Sequence, residues 1–144
     1  MKAVRNSRGF TLLEVMVVIV ILGILASMVV PNLLGSQERA NIQKAVSDIN
    51  ALETSLTMYK MDNYKYPTTE QSLEALVTET DIEPVARRFP QGGYVKRLPN
   101  DPWGSEYQLL NPGEHGVMDV FSMGPDGEPG TDDDIGNWNL GDYQ

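Results

Sequence analysis

Residues 9–31 read GFTLLEVMVVIVILGILASMVVP. From Phe10 to Val30 nearly every side chain is apolar, and no charged residue occurs between Val15 and Gln37. About 20 such residues suffice for a helix to cross the hydrocarbon core of a bilayer. Glu14 breaks the pattern. A carboxylate at that depth costs roughly 2.5–3.5 kcal/mol on the mildest insertion scale. It either snorkels to the interface, lying close to the start of the segment, or has a partner. The preceding residues MKAVRNSRG carry Lys2, Arg5 and Arg8 and no acid, which holds this end on the cytoplasmic side and sends the rest of the chain outward. A cleaved secretory signal has a similar basic start. The apolar run is longer than its usual core, however, and no A-x-A site follows.

Beyond Pro31 the pattern turns amphipathic. Ile42, Val46, Ile49, Leu52, Leu56 and Tyr59 recur at three and four residues, while Lys44, Asp48, Asn50, Glu53 and Lys60 take the opposite face. That spacing predicts one helix running on to about Asp62. Gly23 and Pro31 are its weak points, since Gly lowers helix stability and Pro removes a donor. Tyr66-Pro67 closes the helix. Thr68-Thr69-Glu70-Gln71 then reads as a capping box for a short helix with Leu73, Leu76 and Val77 facing inward. Residues 78–92 read as a surface loop. From Gly93 the segments GYVKRLP, EYQLL and GVMDVFSMG predict three short strands separated by Pro, Gly and Asn. The predicted class is α+β, with a small antiparallel sheet packed on the second half of the helix.

The chain has 144 residues and a formal charge of −9. Without the three basic residues of the leader, eight Lys and Arg face 20 acids, a net −12. Such a balance argues against nucleic acid, which needs a basic footprint. It suits solubility outside the cell or a hard cation. About 110 residues remain beyond the apolar segment, enough for one small domain. There is no cysteine, so disulfides do not fasten it. The end of the chain, GPDGEPGTDDDIGNWNLGDYQ, concentrates Asp126, Asp132, Asp133 and Asp134 among Gly124, Gly127 and Gly130. This reads either as a solvated acidic turn or as a calcium loop, because calcium takes six to eight oxygens in flexible geometry. The EF-hand template fails, since Glu128 and Gly130 stand where it needs Asp or Asn.

Nothing points to catalysis. His115 is the only histidine, in the turn-like NPGEHG, and reads as a surface residue. No nucleophile motif, phosphate loop or zinc spacing is present. Trp103 and Trp138 read as anchors of a small core. A signal-anchored periplasmic enzyme therefore lacks a site.

GFTLLE after a short basic leader resembles the class III signal of type IV pilins and pseudopilins. YPTTEQSLEAL, GGYVKRLPNDPWGSEYQLL and FSMGPDGEPGTDDDIGNW resemble the major pseudopilins, the G subunits, of type II secretion systems, within the type IV pilin-like superfamily. The resemblance covers nearly the whole chain. It implies a leader at 1–9, a transmembrane and filament-core helix at 10–31 and a periplasmic globular domain at 32–144. It implies that a prepilin peptidase cuts between Gly9 and Phe10 and methylates the Phe10 amine. Phe10 and Glu14 then serve assembly, the carboxylate meeting the new amine within one chain or between subunits.

The resemblance further implies Ca2+ in the C-terminal loop. The matching ligands are the carbonyls of Met123 and Glu128 with Asp126, Thr131, Asp133 and Asp134. Thr131 stands where serine is frequent. Implied partners are copies of the chain in a homopolymer, minor pseudopilins, and an inner-membrane assembly platform with its ATPase. The implied function is that of a periplasmic filament subunit that drives folded exoproteins across the outer membrane. A type IV pilus major pilin is the alternative; those proteins usually carry a C-terminal cysteine pair, absent here. Gly23 to Pro31 is where the helix is expected to stretch during assembly.

Overall fold

The computed structural model describes residues 9–143. The leader expected at 1–9 lies outside them except for Gly9. The chain divides into two compact units, Met1–Glu38 and Arg39–Gln144.

Helix α1 spans Leu12–Asn63. It starts at Leu12 rather than Phe10 because Thr11 caps it. The Thr11 hydroxyl accepts the Glu14 N–H at 3.2 Å, and the Thr11 carbonyl accepts that of Val15. Thr11-Leu12-Leu13-Glu14 is thus the T-x-x-E pattern of a helix start, and Glu14 is the acid of the first turn. In the first unit Phe10, Leu12, Leu13, the run Val15–Leu22, Ile24 and Leu25 are all exposed. A helix apolar on every side belongs in lipid or in the core of a larger assembly. Among the described residues no helix is long and apolar enough to cross a membrane. The side chains of 28–34, the end of the apolar segment expected at 10–31, lie outside the description. The backbone is helical through both Gly23 and Pro31.

The second unit holds the core. Val46, Ile49, Leu52, Leu56 and Tyr59 are buried on one face of α1, as the periodicity predicts; Ala45, which it does not include, is buried with them, and Ile42 is only half-buried. Against them pack Leu73, Ala75 and Leu76 of a 3-10 helix and Tyr107, Leu109, Met118, Val120 and Ile135 of the sheet region. The helix ends where Tyr64 turns left-handed, at φ 64°, and returns its N–H to the Lys60 carbonyl at 2.7 Å. Buried Asn63 fixes that end. Its amide donates to the Tyr59 carbonyl and the Tyr94 hydroxyl, and its oxygen accepts the Arg88 N–H.

The capping box forms reciprocally, Gln71 N–H to Thr68 Oγ1 at 3.2 Å and Thr68 N–H to Gln71 Oε1 at 2.9 Å. The helix it introduces is a single 3-10 turn, Leu73–Leu76, capped by Ser72. Ala75 rather than Val77 joins Leu73 and Leu76 in the core; Val77 is half-buried.

The sheet has three antiparallel strands in the order β1 (Gln108–Leu110), β2 (Asp119–Ser122), β3 (Ile135–Gly136). Leu109 faces Val120 and Ser122 faces Ile135 in register. Gly93–Pro99, expected as a strand, forms none. Tyr94 and Val95 both give their N–H to the Leu76 carbonyl, so this segment caps the 3-10 helix instead of a ladder. A Cβ on Gly93 would stand 2.8 Å from the Val77 carbonyl oxygen, so glycine permits that approach. Just beyond it, Asn100 and Glu106 form an isolated antiparallel bridge. The third strand is two residues of the IGNW stretch.

Leu56 is fully buried and Met61 is 74% exposed on the same helix. Leu56→Ala is expected to lower unfolding free energy by about 2–5 kcal/mol. Met61→Ala should shift it by less than about 0.5 kcal/mol. Urea titration followed by circular dichroism measures both.

Candidate functional site

The loop 123–134 leaves β2 at Ser122 and re-enters the sheet at Ile135. Gly124 opens it with φ 64°. A Cβ there would run into the Asp133 carbonyl and come within 2.7 Å of its carboxylate, so the two ends of the loop touch only because residue 124 has no side chain. The Thr131 hydroxyl lies 2.6 Å from Asp133 Oδ1 and 3.1 Å from the Glu128 carbonyl. The Asp126 N–H donates to Asp133 Oδ2 at 3.2 Å, and the Glu128 N–H to Asp126 Oδ1 at 2.8 Å. The Thr131 hydroxyl above all, helped by the Asp126 N–H, holds the Asp133 carboxyl below the usual carboxylate range.

Asp134 turns inward. Its Oδ2 accepts the Gly130 N–H at 2.7 Å, and its carbonyl accepts the Asn139 side-chain amide at 2.9 Å. Its Oδ1 is buried and has no hydrogen-bond partner. A buried carboxylate oxygen without a donor is costly. Met123 and Asp134 line one cavity of about 400 Å³ together with His115, Asp119 and Trp138.

Of the six expected calcium ligands, the structure gathers Asp126, Glu128, Thr131 and Asp133 into one hydrogen-bonded cluster. Met123 and Asp134 lie on the inner side of the loop. Asp132 is exposed. Among the described residues no three His, Asp or Glu side chains stand close enough together to hold a metal ion. The donors are all oxygen, three carboxylates, a hydroxyl and two carbonyls, which is the chemistry that calcium takes. The set fits that ion in kind.

Beside the loop, sequence reasoning missed a buried acid. Asp119 accepts the N–H groups of Glu114 at 2.7 Å, His115 at 2.9 Å and Gly116 at 3.0 Å. His115 Nδ1 lies 3.1 Å from the same carboxylate, and its ring stacks on Trp138 at 4.0 Å. His115, expected as a plain surface residue, thus ties the β1–β2 turn to the segment after β3. Burial alone would raise the Asp119 pKa; the bonds from His115, Glu114 and Gly116 outweigh it and hold the carboxyl below its ordinary value. An acid inside an apolar strand, Met118-Asp119-Val120, was the available signal.

At the other end of the chain, Gly9, Phe10 and Thr11 precede the helix without regular structure. Phe10 is 83% exposed, and Glu14 stands one turn on.

Two family models match the chain. The family model described as Type II secretion system (T2SS), protein G, matches residues 32–138. The Prokaryotic N-terminal methylation motif matches residues 4–30. The type II secretion system core protein G of Pectobacterium carotovorum subsp. carotovorum is 68% identical over 135 residues, covering 94% of this chain and 86% of that one. The core protein G of Vibrio cholerae serotype O1 is 63% identical over 148 residues, covering 100% of both. The crystal structure of the major pseudopilin from the type 2 secretion system of enterohaemorrhagic Escherichia coli matches with a TM-score of 0.71 at 57% identity, over 77% of this chain and 97% of that one.

Asp119 gives an acid-dependent signature. Its stabilisation is present above the unfolded carboxyl value of about 3.9 and is lost as pH falls through the lower folded value. Asp119→Asn should lower stability at pH 7 by about 1–3 kcal/mol. The gap to the unchanged protein should narrow as pH falls below that unfolded value and close once the folded carboxyl is protonated, as read from urea midpoints at pH 7 and through the acid range.

Proposed function

The chain belongs to the type II secretion system protein G family, and from that premise we propose that it is the major pseudopilin of its system. It polymerises into the pseudopilus, a periplasmic helical filament that drives folded exoproteins across the outer membrane. The observation that carries this reading is the adjacency, in one chain, of the N-terminal methylation motif at 4–30 and the protein G match at 32–138. The match over the globular part is to protein G. The role is structural, and no residue is assigned to catalysis.

Residues 1–9 are a leader removed by a prepilin peptidase between Gly9 and Phe10, with methylation of the Phe10 amine. Residues 10–31 anchor the chain in the inner membrane, and 32–144 form the periplasmic domain. Removal of the leader places an ammonium in front of the positive end of α1, where the helix dipole disfavours it. Glu14 supplies the opposite charge. In an apolar medium each group offsets the desolvation of the other. An incoming subunit's Glu14 that meets the Phe10 amine of a packed one sets the register of stacking. The exposed apolar side chains of 10–25 support this use, since they have no core of their own to enter. Copies of the chain, minor pseudopilins and an inner-membrane platform with its ATPase are the partners. The acidic charge leaves no footprint for nucleic acid.

Calcium is held by Asp126, Thr131, Asp133 and Asp134, with the carbonyls of Met123 and Glu128. The all-oxygen donor set and the unpartnered Asp134 Oδ1 support the assignment. The ion supplies charge that pins the loop in a domain without disulfides.

Glu14→Ala should leave leader cleavage intact and abolish or sharply reduce filaments. Electrophoretic mobility reads the first and electron microscopy of sheared filaments the second; normal filaments would reject the pairing. For calcium, a chelator should lower the melting temperature of the full chain in detergent by several degrees, corresponding to about 1–3 kcal/mol. Added calcium should restore it, whereas magnesium should not.

A further inference from the structure

Beneath the calcium loop lies a turn that contributes no ligand to it. Residues 100–105, NDPWGS, fold around Asp101, which is 4% exposed. Asp101 Oδ1 accepts the N–H groups of Trp103 at 3.0 Å and Ser105 at 2.8 Å. The Asp101 N–H donates to the Ser105 carbonyl at 2.9 Å, closing the turn. Asp101 Oδ2 accepts the hydroxyl of Ser122 at 2.6 Å. Ser122 is fully buried at the end of β2. Its oxygen in turn accepts the N–H of Gly124 at 3.1 Å, and Gly124 is the residue packed against Asp133. Further along the loop, a Cβ added to Gly127 would stand 3.8 Å from the Ser105 hydroxyl oxygen.

We propose that Asp101 and Ser122 are positioning residues for calcium, setting the Met123 carbonyl and the Asp133 carboxylate from outside the ligand set. This rests on the calcium assignment above. The Asp101 carboxylate has three donors of its own, so it serves as a fixed acceptor. Met123 sits between Ser122 and Gly124, and the bond from Gly124 N–H to Ser122 Oγ bridges it. Its carbonyl is therefore oriented by the same pair. The hydroxyl has a single proton. Giving it to Asp101 leaves a lone pair for the Gly124 N–H, and the order of donors along the relay is set by the negative charge at Asp101. An amide at residue 101 whose oxygen keeps Trp103 and Ser105 turns its NH2 toward Ser122. The hydroxyl then receives two donors, and its own proton loses its acceptor inside the protein. Groups that hold metal ligands in place typically change affinity by 10–100-fold when removed.

The test is calcium titration calorimetry on the full chain in detergent, with melting temperatures in chelator and in calcium. Asp101→Asn and Ser122→Ala are each expected to weaken calcium binding roughly tenfold and to shrink the calcium-induced rise in melting temperature. Ser122→Ala leaves the charge unchanged, so a loss there is not a loss of long-range attraction. It also carries the test alone if Asp101→Asn does not fold. A purely structural role predicts melting temperatures lowered equally with and without calcium at an unchanged Kd, and that result overturns the proposal. Absence of binding in the unsubstituted chain overturns the calcium assignment and the relay together. Binding there with unchanged variants overturns the relay only.

Discussion

One apolar stripe on a helix organises the globular unit. Ile49, Leu52, Leu56 and Tyr59 are almost wholly removed from water, and every other element exists to cover them. The strands are two to four residues long, below the length at which a sheet stands alone. They are held because their inner side chains reach the helix. The 3-10 turn Leu73–Leu76 covers the stripe from another side, and Gly93–Val95 caps that turn. Burial of side chains of this size contributes about 1.5–3 kcal/mol each, which is why a fold with so little regular strand persists.

The rest of the second unit is irregular chain, and here buried acids take over. Asp101 and Asp119 each gather backbone N–H groups of a tight turn onto one carboxylate, and Asp133 does the same within its loop with an N–H and a hydroxyl. Backbone donors that leave a ladder must find acceptors. In a domain with no cysteine, ionised side chains provide them. At Asp119 and Asp133 the arrangement ties the turn to an ionised carboxyl, since the donors hold both groups below their ordinary values.

The legibility of these features follows their range in sequence. The helix stripe is written in six residues at helical spacing, and the reciprocal box at Thr68 and Gln71 in a local motif. EYQLL and GVMDVFSMG mark the right places for β1 and β2, although only their centres pair. Gly93–Pro99 misleads because Tyr94, Val95 and Leu98 resemble a strand, while the N–H groups of Tyr94 and Val95 go to the Leu76 carbonyl, far back in the chain. β3 is two residues and too short to leave a pattern. Asp101 and Asp119 are hidden for a different reason: acids are almost never fully buried, so composition assigns them to the surface. At the site, the oxygen donors were readable, but the division between an outer cluster and an inward Asp134 depends on which N–H each carboxylate meets. Thr11 as a helix cap was readable too, and is overshadowed by the charge of Glu14.

That cap has a consequence for maturation. Because α1 begins at Leu12, the bond between Gly9 and Phe10 lies in backbone outside the helical ladder. On the proposed processing, hydrolysis of that bond would break no helical hydrogen bond. Thr11 keeps the first turn closed before and after the cut. Covalent maturation would thereby be uncoupled from folding: the cut would alter the charge at the tip and the length of the tail, and leave the first helical turn as it was.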